Sequence, residues 1–100
     1  MSTQRDSLAE AAMRAIAQRE RAERTAAITV QTVMGNVFQG DEVSQSRMVR
    51  VLRAMEEELP DGTVLWIMAD NSLAEVTLAE LEEALRLSVA EQQVIWLETH

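Results

Sequence analysis

Cysteine and lysine are absent from this 100-residue sequence, and proline, glycine and aromatic residues are scarce. Without cysteine no disulfide can form, so the fold depends on its own hydrophobic core or on a partner. The longest apolar run, Val64–Ala69, has six residues, far fewer than the roughly 20 that span a bilayer. The first 24 residues are polar and charged, which argues against a secretory signal. We therefore expect no membrane contact.

The groups that usually carry out catalysis are also few. His100 is the single histidine, and no Gly-rich phosphate loop, nucleophile elbow or Cys/His cluster is present. Carboxylates are plentiful, but Glu56, Glu57 and Glu58 fan out around a helix at about 100° per residue and cannot converge on one point. The sequence therefore predicts a non-enzymatic protein with no catalytic residue, no metal site and no cofactor.

The first segment, residues 7–26, is rich in Ala, Arg and Glu, which favour a helix. Ser7 and Glu10 have the spacing of a capping box. The apolar face is thin, since Leu8, Ala12 and Ile16 have few apolar neighbours beyond them. The sequence predicts a charged helix that either stays solvated or serves as an arm for a partner or for self-association.

A hairpin and a second helix are predicted next. Residues 28–34 alternate in polarity, Gly35-Asn36 is a turn signal, and residues 37–39 form the returning strand. Asp41 is a suitable N-cap for a helix over residues 41–59. The expected core face of that helix consists of Met48, Val51, Leu52, Met55 and Leu59.

A second hairpin and a third helix complete the predicted order. Residues 63–69 contain the apolar run Val64–Ala69, which predicts a largely buried strand, and residues 70–72 form a turn before a short strand over residues 73–76. Thr77 and Glu80 have capping-box spacing at the start of the last helix. Its expected buried side consists of Leu78, Leu81, Leu85, Val89, Ile95 and Trp96.

These elements predict an α+β fold in which three helices pack on a small antiparallel sheet made of two β-hairpins. The length suits a single domain over residues 1–100. Residues 1–26 would form its charged helix, and residues 27–100 would form its core.

The formal charge of −8 is unevenly distributed, since residues 1–53 sum to +2 and residues 54–100 to −10. An anionic chain is not expected to bind nucleic acid directly. The excess acid either keeps the protein in solution or forms a face that binds a positive partner. On the second interpretation, charge reversal at Glu80, Glu83 and Glu91 should weaken binding with little effect on stability. The candidate partner-binding residues are Asp61, Asp70, Glu75, Glu80, Glu83 and Glu91.

Three blocks carry a family resemblance: GNVFQGDEVSQSRM, LWIMADNS, and VTLAELEEAL followed by Gln93 and Trp96. From about residue 24 to residue 96 the sequence resembles a phage domain of unknown function that occurs at the ends of, or beside, tail-fibre proteins. The resemblance implies a phage or prophage origin and a small non-enzymatic module. It transfers no site residue.

In size and charge the sequence is also similar to anti-CRISPR proteins, several of which block DNA binding through acidic surfaces. We therefore expect an inhibitor in the host bacterial cytoplasm that binds the Cas surveillance complex, a host complex with a basic nucleic-acid-binding surface. The alternative is a structural or assembly protein associated with the tail fibre and carried in the virion.

Overall fold

The computed structural model describes the backbone of residues 2–100 and the side chains from residue 7 onward. Its order is helix, hairpin, helix, hairpin, helix, which confirms the predicted α+β class. The elements are α1 (Ser2–Ala26), β1 (Thr29–Gln31), β2 (Val37–Gln39), α2 (Glu42–Met55), β3 (Thr63–Ile67), β4 (Leu73–Thr77) and α3 (Leu78–Glu98).

The two hairpins form separate two-stranded sheets. In the first hairpin Val30 lies opposite Phe38, and in the second Trp66 lies opposite Ala74. The backbone N–H of Ala69 donates to the carbonyl oxygen of Val37 at 3.0 Å, so the hairpins touch beyond the end of β3. The strands therefore do not extend into the one continuous sheet that the sequence suggests.

The core lies around α3, which packs against α1, α2, β1 and β4. Phe38 from β2, Met48 from α2, Val76 from β4 and Leu81 from α3 are essentially inaccessible to solvent. Ile28, Val30 and Thr32 share the buried face of the first hairpin, as their alternation predicts. Each of these elements therefore contributes one apolar face to the same core.

Gly40 shows how closely the first hairpin approaches α3. A Cβ atom on Gly40 would lie 2.6 Å from Cγ2 of Ile28 and 2.6 Å from Oγ of Ser88. Ser88 is fully buried, and its hydroxyl donates to the carbonyl oxygen of Ala84. Only a residue without a side chain fits at this contact.

Helix α1 projects from this body. The molecule measures 65 × 26 × 18 Å, with a radius of gyration of 18.1 Å, whereas a compact 100-residue domain has about 13 Å. In the described part of α1, Thr25 is the first buried residue. Residues 7–16 of the helix are therefore all exposed to solvent.

Two predicted helix boundaries were wrong. Helix α1 starts at Ser2, so Ser7 lies inside it and is not its N-cap. Helix α2 ends at Met55, four residues before the predicted end. Acidic residues are unfavourable at a helix C-terminus, and the residue before Pro60 disfavours helical backbone. As a result Leu59 is half exposed and does not join the core.

Three burial predictions were also wrong. Strand β3 is not largely buried, because a two-stranded sheet with one face on the core leaves Leu65 and Ile67 on the outer face, 70% and 58% exposed. On α3, Val89 and Trp96 are about half exposed. The smaller Ala84 and Ser88 lie on the buried side, where α3 is closest to its neighbours.

Candidate interaction surface

Among the predicted site residues, Glu80 is the most deeply buried. Its side chain is buried, and Oε2 accepts hydrogen bonds from the Thr32 hydroxyl at 2.7 Å and from the Asn36 side-chain amide at 2.8 Å. Thr77 caps the same turn of α3, because its hydroxyl oxygen accepts from the Glu80 backbone N–H at 3.1 Å. Glu80 therefore fastens the first hairpin to α3, and reversing its charge would disrupt the fold.

Glu83 continues the same attachment. Its Oε2 accepts a hydrogen bond from the backbone N–H of Val33 at 2.8 Å. The turn over residues 32–36 is closed by Gly35, whose φ of +93° suits glycine. Glu80 and Glu83 on α3 therefore accept hydrogen bonds from donor groups of this one turn, which lies about 50 residues earlier in the sequence.

Asp70 has a local role at the turn between β3 and β4. Its Oδ1 accepts from the Ser72 hydroxyl and from the Ser72 backbone N–H. These two bonds, the hydroxyl bond more than the backbone bond, lower the pKa of the Asp70 carboxyl below its ordinary value. Asn71, next to it, has a φ of +69°, which an asparagine tolerates in a tight turn.

The other three predicted residues are exposed but belong to different parts of the surface. Asp61 lies in the connection before β3, Glu75 on the outer face of β4, and Glu91 on α3. Glu75 accepts a hydrogen bond from the Thr63 hydroxyl at 3.1 Å. The six predicted residues therefore do not form one cluster.

A cleft between the end of α2 and the start of α3 has acidic residues from both helix ends in its lining. Glu56 and Glu82 line it over an apolar floor, and its volume is about 360 Å³. Both side chains are exposed, and the acidic run continues through Glu57 and Glu58. An arginine or lysine side chain fits this chemistry, because its methylene stem can lie on apolar atoms while its charged end meets carboxylates. The floor consists of Leu52, Pro60, Leu78 and Ala79.

The sequence alone does not indicate this cleft, because Glu56 and Glu82 lie far apart in the chain, at the ends of two different helices. The signal that could have indicated it was Pro60, since a proline that ends α2 turns the chain so that the two helix ends can meet.

A second attachment, also unpredicted, joins α1 to the end of α3. Arg21 donates to the Thr99 hydroxyl at 3.1 Å and to the Thr99 carbonyl oxygen at 2.8 Å, and its guanidinium lies over Trp96. Arg24 pairs with Glu98 at 2.7 Å, and this hydrogen bond raises the pKa of Arg24. These contacts fix the carboxyl-terminal part of α1 on the end of α3.

Beside this attachment is a cleft of about 380 Å³ between α1, the start of α2 and Trp96. Thr25 lines it, and its buried hydroxyl has no hydrogen-bond partner among residues 7–100, whose side chains the structure describes.

Within the described residues, no three histidine or acidic side chains are placed to hold a metal ion. None of the helices in that part of the chain combines the length and the apolar composition needed to cross a membrane.

A domain-family model matches residues 8–95. The chain belongs to DUF4376, a family of domains of unknown function. The DUF4376 match begins at Leu8 inside α1, so the family region is longer at this end than the resemblance from residue 24 suggested. It includes Glu80 and Glu83, which attach the first hairpin to α3, and most of α1, whereas Glu98 and Thr99, which bind α1, lie beyond it. No curated protein and no solved structure matches the chain.

Proposed function

We propose that this DUF4376 chain is a phage-encoded, non-enzymatic inhibitor that binds a bacterial host complex through the acidic surface of its second half. The proposed target is the basic nucleic-acid-binding surface of the Cas surveillance complex, where the chain would occupy the place of DNA. The bacterial cytoplasm is then its site of action. Phage origin and anti-CRISPR activity are both part of the proposal.

The observation that carries the proposal is the exposed acidic charge after residue 53. Of the eleven acids in that half, Glu80 is buried and Glu83 is half-buried, while the other nine are exposed. Arg86 is the single cation there. A surface of this charge steers a positively charged partner toward it and speeds association at low salt.

The cleft between Glu56 and Glu82 gives the surface a specific contact point. The acids at the end of α2 lie where the helix dipole is already negative, so they cost the fold stability. A guanidinium or ammonium group between Glu56 and Glu82 would offset this unfavourable interaction of the acids with the helix dipole. We therefore place a basic side chain of the partner in this cleft.

The test is binding of the full chain to the purified surveillance complex, with competition by its target DNA. Glu56→Lys or Glu82→Lys should each weaken binding about tenfold at low salt. Glu10→Lys makes the same charge change on α1, at an exposed position outside the acidic half, and should leave the affinity unchanged. Circular dichroism spectra of the three variants should match that of the unmodified chain.

Two results would overturn the proposal. One is simultaneous binding of the chain and DNA by the complex, because the chain would then not occupy the DNA site. The other is equal loss of affinity in the Glu82→Lys and Glu10→Lys variants, because the acidic half would then have no particular role.

A structural or assembly role beside the phage tail fibre is the second candidate, and the projecting helix α1 favours it. An exposed helix with an apolar face suits incorporation into a larger assembly. Mass spectrometry of purified particles from a phage that encodes this chain separates the two functions. Stoichiometric presence in the particle supports the tail role, whereas absence from the particle contradicts it.

A further inference from the structure

The face of α1 directed away from the body is apolar and uncovered. Leu8 and Ile16 are 68% and 61% exposed, and Ala12 between them is also exposed. At about 100° per residue, Ala12 lies on the opposite side of the helix from Arg21, which makes the contact with α3. The chain therefore holds α1 by one face and presents the other face to solvent.

The exposed area of the whole molecule indicates that this face is covered by something else. The accessible surface is 7267 Å², whereas a compact monomer of 11.2 kDa has roughly 5,700 Å². The difference of roughly 1,600 Å² exceeds the roughly 800 Å² per partner of a standard protein interface. An isolated helix with so few tertiary contacts is also marginal in water.

The distribution of charge indicates that a second copy of this chain covers the exposed face of α1. Helix α1 carries five arginines and four acids, a net charge of +1, whereas residues 27–100 carry −9. A basic partner is attracted to the acidic body and gains nothing from α1. Two copies repel each other through their bodies, so a nearly neutral helix is the element through which they can meet.

We propose that two copies of this chain pair through their α1 helices, antiparallel, with Leu8 of each copy against Ile16 of the other. The small Ala12 lies midway between them and allows the two helices to approach closely. The antiparallel direction puts the acidic bodies at opposite ends of a helix about 37 Å long, several times the Debye length of about 8 Å at physiological salt. This pairing is independent of the proposed function.

Analytical ultracentrifugation of the full chain tests the pairing, and a mass of twice 11.2 kDa is expected. Ile16→Glu should raise the dissociation constant of the dimer tenfold or more, because the interface loses the burial of about one apolar side chain and gains a charge. Met34→Glu is the matched control, since Met34 is 76% exposed in the turn of the first hairpin. A monomer at all concentrations, or equal weakening by the two variants, would refute the pairing through α1.

Cysteine cross-linking tests the direction, and the natural chain contains no cysteine that could interfere. A mixture of Leu8→Cys and Ile16→Cys proteins should form a disulfide-linked heterodimer on oxidation. Leu8→Cys alone should form little disulfide-linked dimer, because the two copies of residue 8 in an antiparallel pair lie about 12 Å apart along the helix axis. Efficient cross-linking of Leu8→Cys alone would contradict the antiparallel arrangement.

Discussion

The guanidinium carbon of Arg21 lies 4.7 Å from the centre of the Trp96 ring, and the same guanidinium bonds to Thr99. The flat guanidinium stacks over the Trp96 ring, and its forked N–H donors bond to Thr99. Arginine is suited to both kinds of contact. This one side chain is therefore the main connection between the projecting helix and the end of α3.

Replacing Arg21 by alanine should release α1 from the body. We expect hydrogen-exchange protection of residues 17–26 to fall by about tenfold, which corresponds to about 1.4 kcal/mol, within the range of a cation–π contact plus its hydrogen bonds. Arg21→Lys should be intermediate, because it keeps the cation over the ring but loses the fork. Arg19→Ala, at an exposed position, should leave protection unchanged, and a similar loss in that variant would show that removing any arginine from α1, and not the contact with Trp96 and Thr99, lowers protection.

Replacing Glu80 by alanine should destabilise the whole domain. The Thr32 hydroxyl and the Asn36 amide would lose a charged acceptor inside the protein, at a cost of about 2–3 kcal/mol in the free energy of unfolding. Urea denaturation measures this value. Glu82→Ala, two residues later at an exposed position, should change stability by less than about 0.5 kcal/mol. Equal midpoints for the two variants would contradict the structural role of Glu80.

Replacing Gly40 by alanine should also destabilise the domain, for a steric reason. The new Cβ would overlap Ile28 and Ser88, and overpacking of this kind costs about 1–3 kcal/mol. Ser88→Ala removes one of the overlapping atoms, so thermal unfolding of the double variant should show less than additive loss. Additive losses would mean that the contact between Gly40 and Ser88 is not the cause.

Replacing Ser72 by alanine should raise the pKa of Asp70 toward its ordinary value of 3.8. Because the pKa of Asp70 is lower in the folded protein, its stabilising contribution is present above the pKa of the unfolded chain and is lost as the pH falls through the folded pKa. Acid unfolding of the Ser72→Ala variant should therefore depend less on pH below about pH 4. NMR titration of the Asp70 carboxyl carbon measures the pKa, with Ser46→Ala as a control that should not shift it.

Local signals predicted the order of the elements. The pairing of Thr77 with the Glu80 backbone is a contact between neighbours in sequence, and it formed as expected. The alternation at Ile28, Val30 and Thr32 likewise depends on strand geometry alone, and all three are buried. The end of α2 was predicted wrongly because the helical spacing of Met55 and Leu59 favours a longer helix, whereas the acidic residues and Pro60 end it at Met55.

The use of each acidic side chain could not be predicted from the sequence. Glu80 and Glu91 look alike along α3, yet Glu80 is buried against a turn 44 to 48 residues away and Glu91 is exposed. The exposure of Trp96 has the same origin, because it depends on where α1 crosses α3. Such outcomes are set by contacts between distant segments, about which a single sequence carries little information.

The central position of α3 has a consequence for synthesis on the ribosome. Helix α3 contributes Leu81, Ala84 and Ile95 to the core, and both hairpins pack against or near this helix. Until α3 has emerged from the exit tunnel, the earlier segments have no common surface on which to assemble. We expect the nascent chain to remain open to chaperones and proteases until α3 has emerged, and to fold in one step once α3 is free.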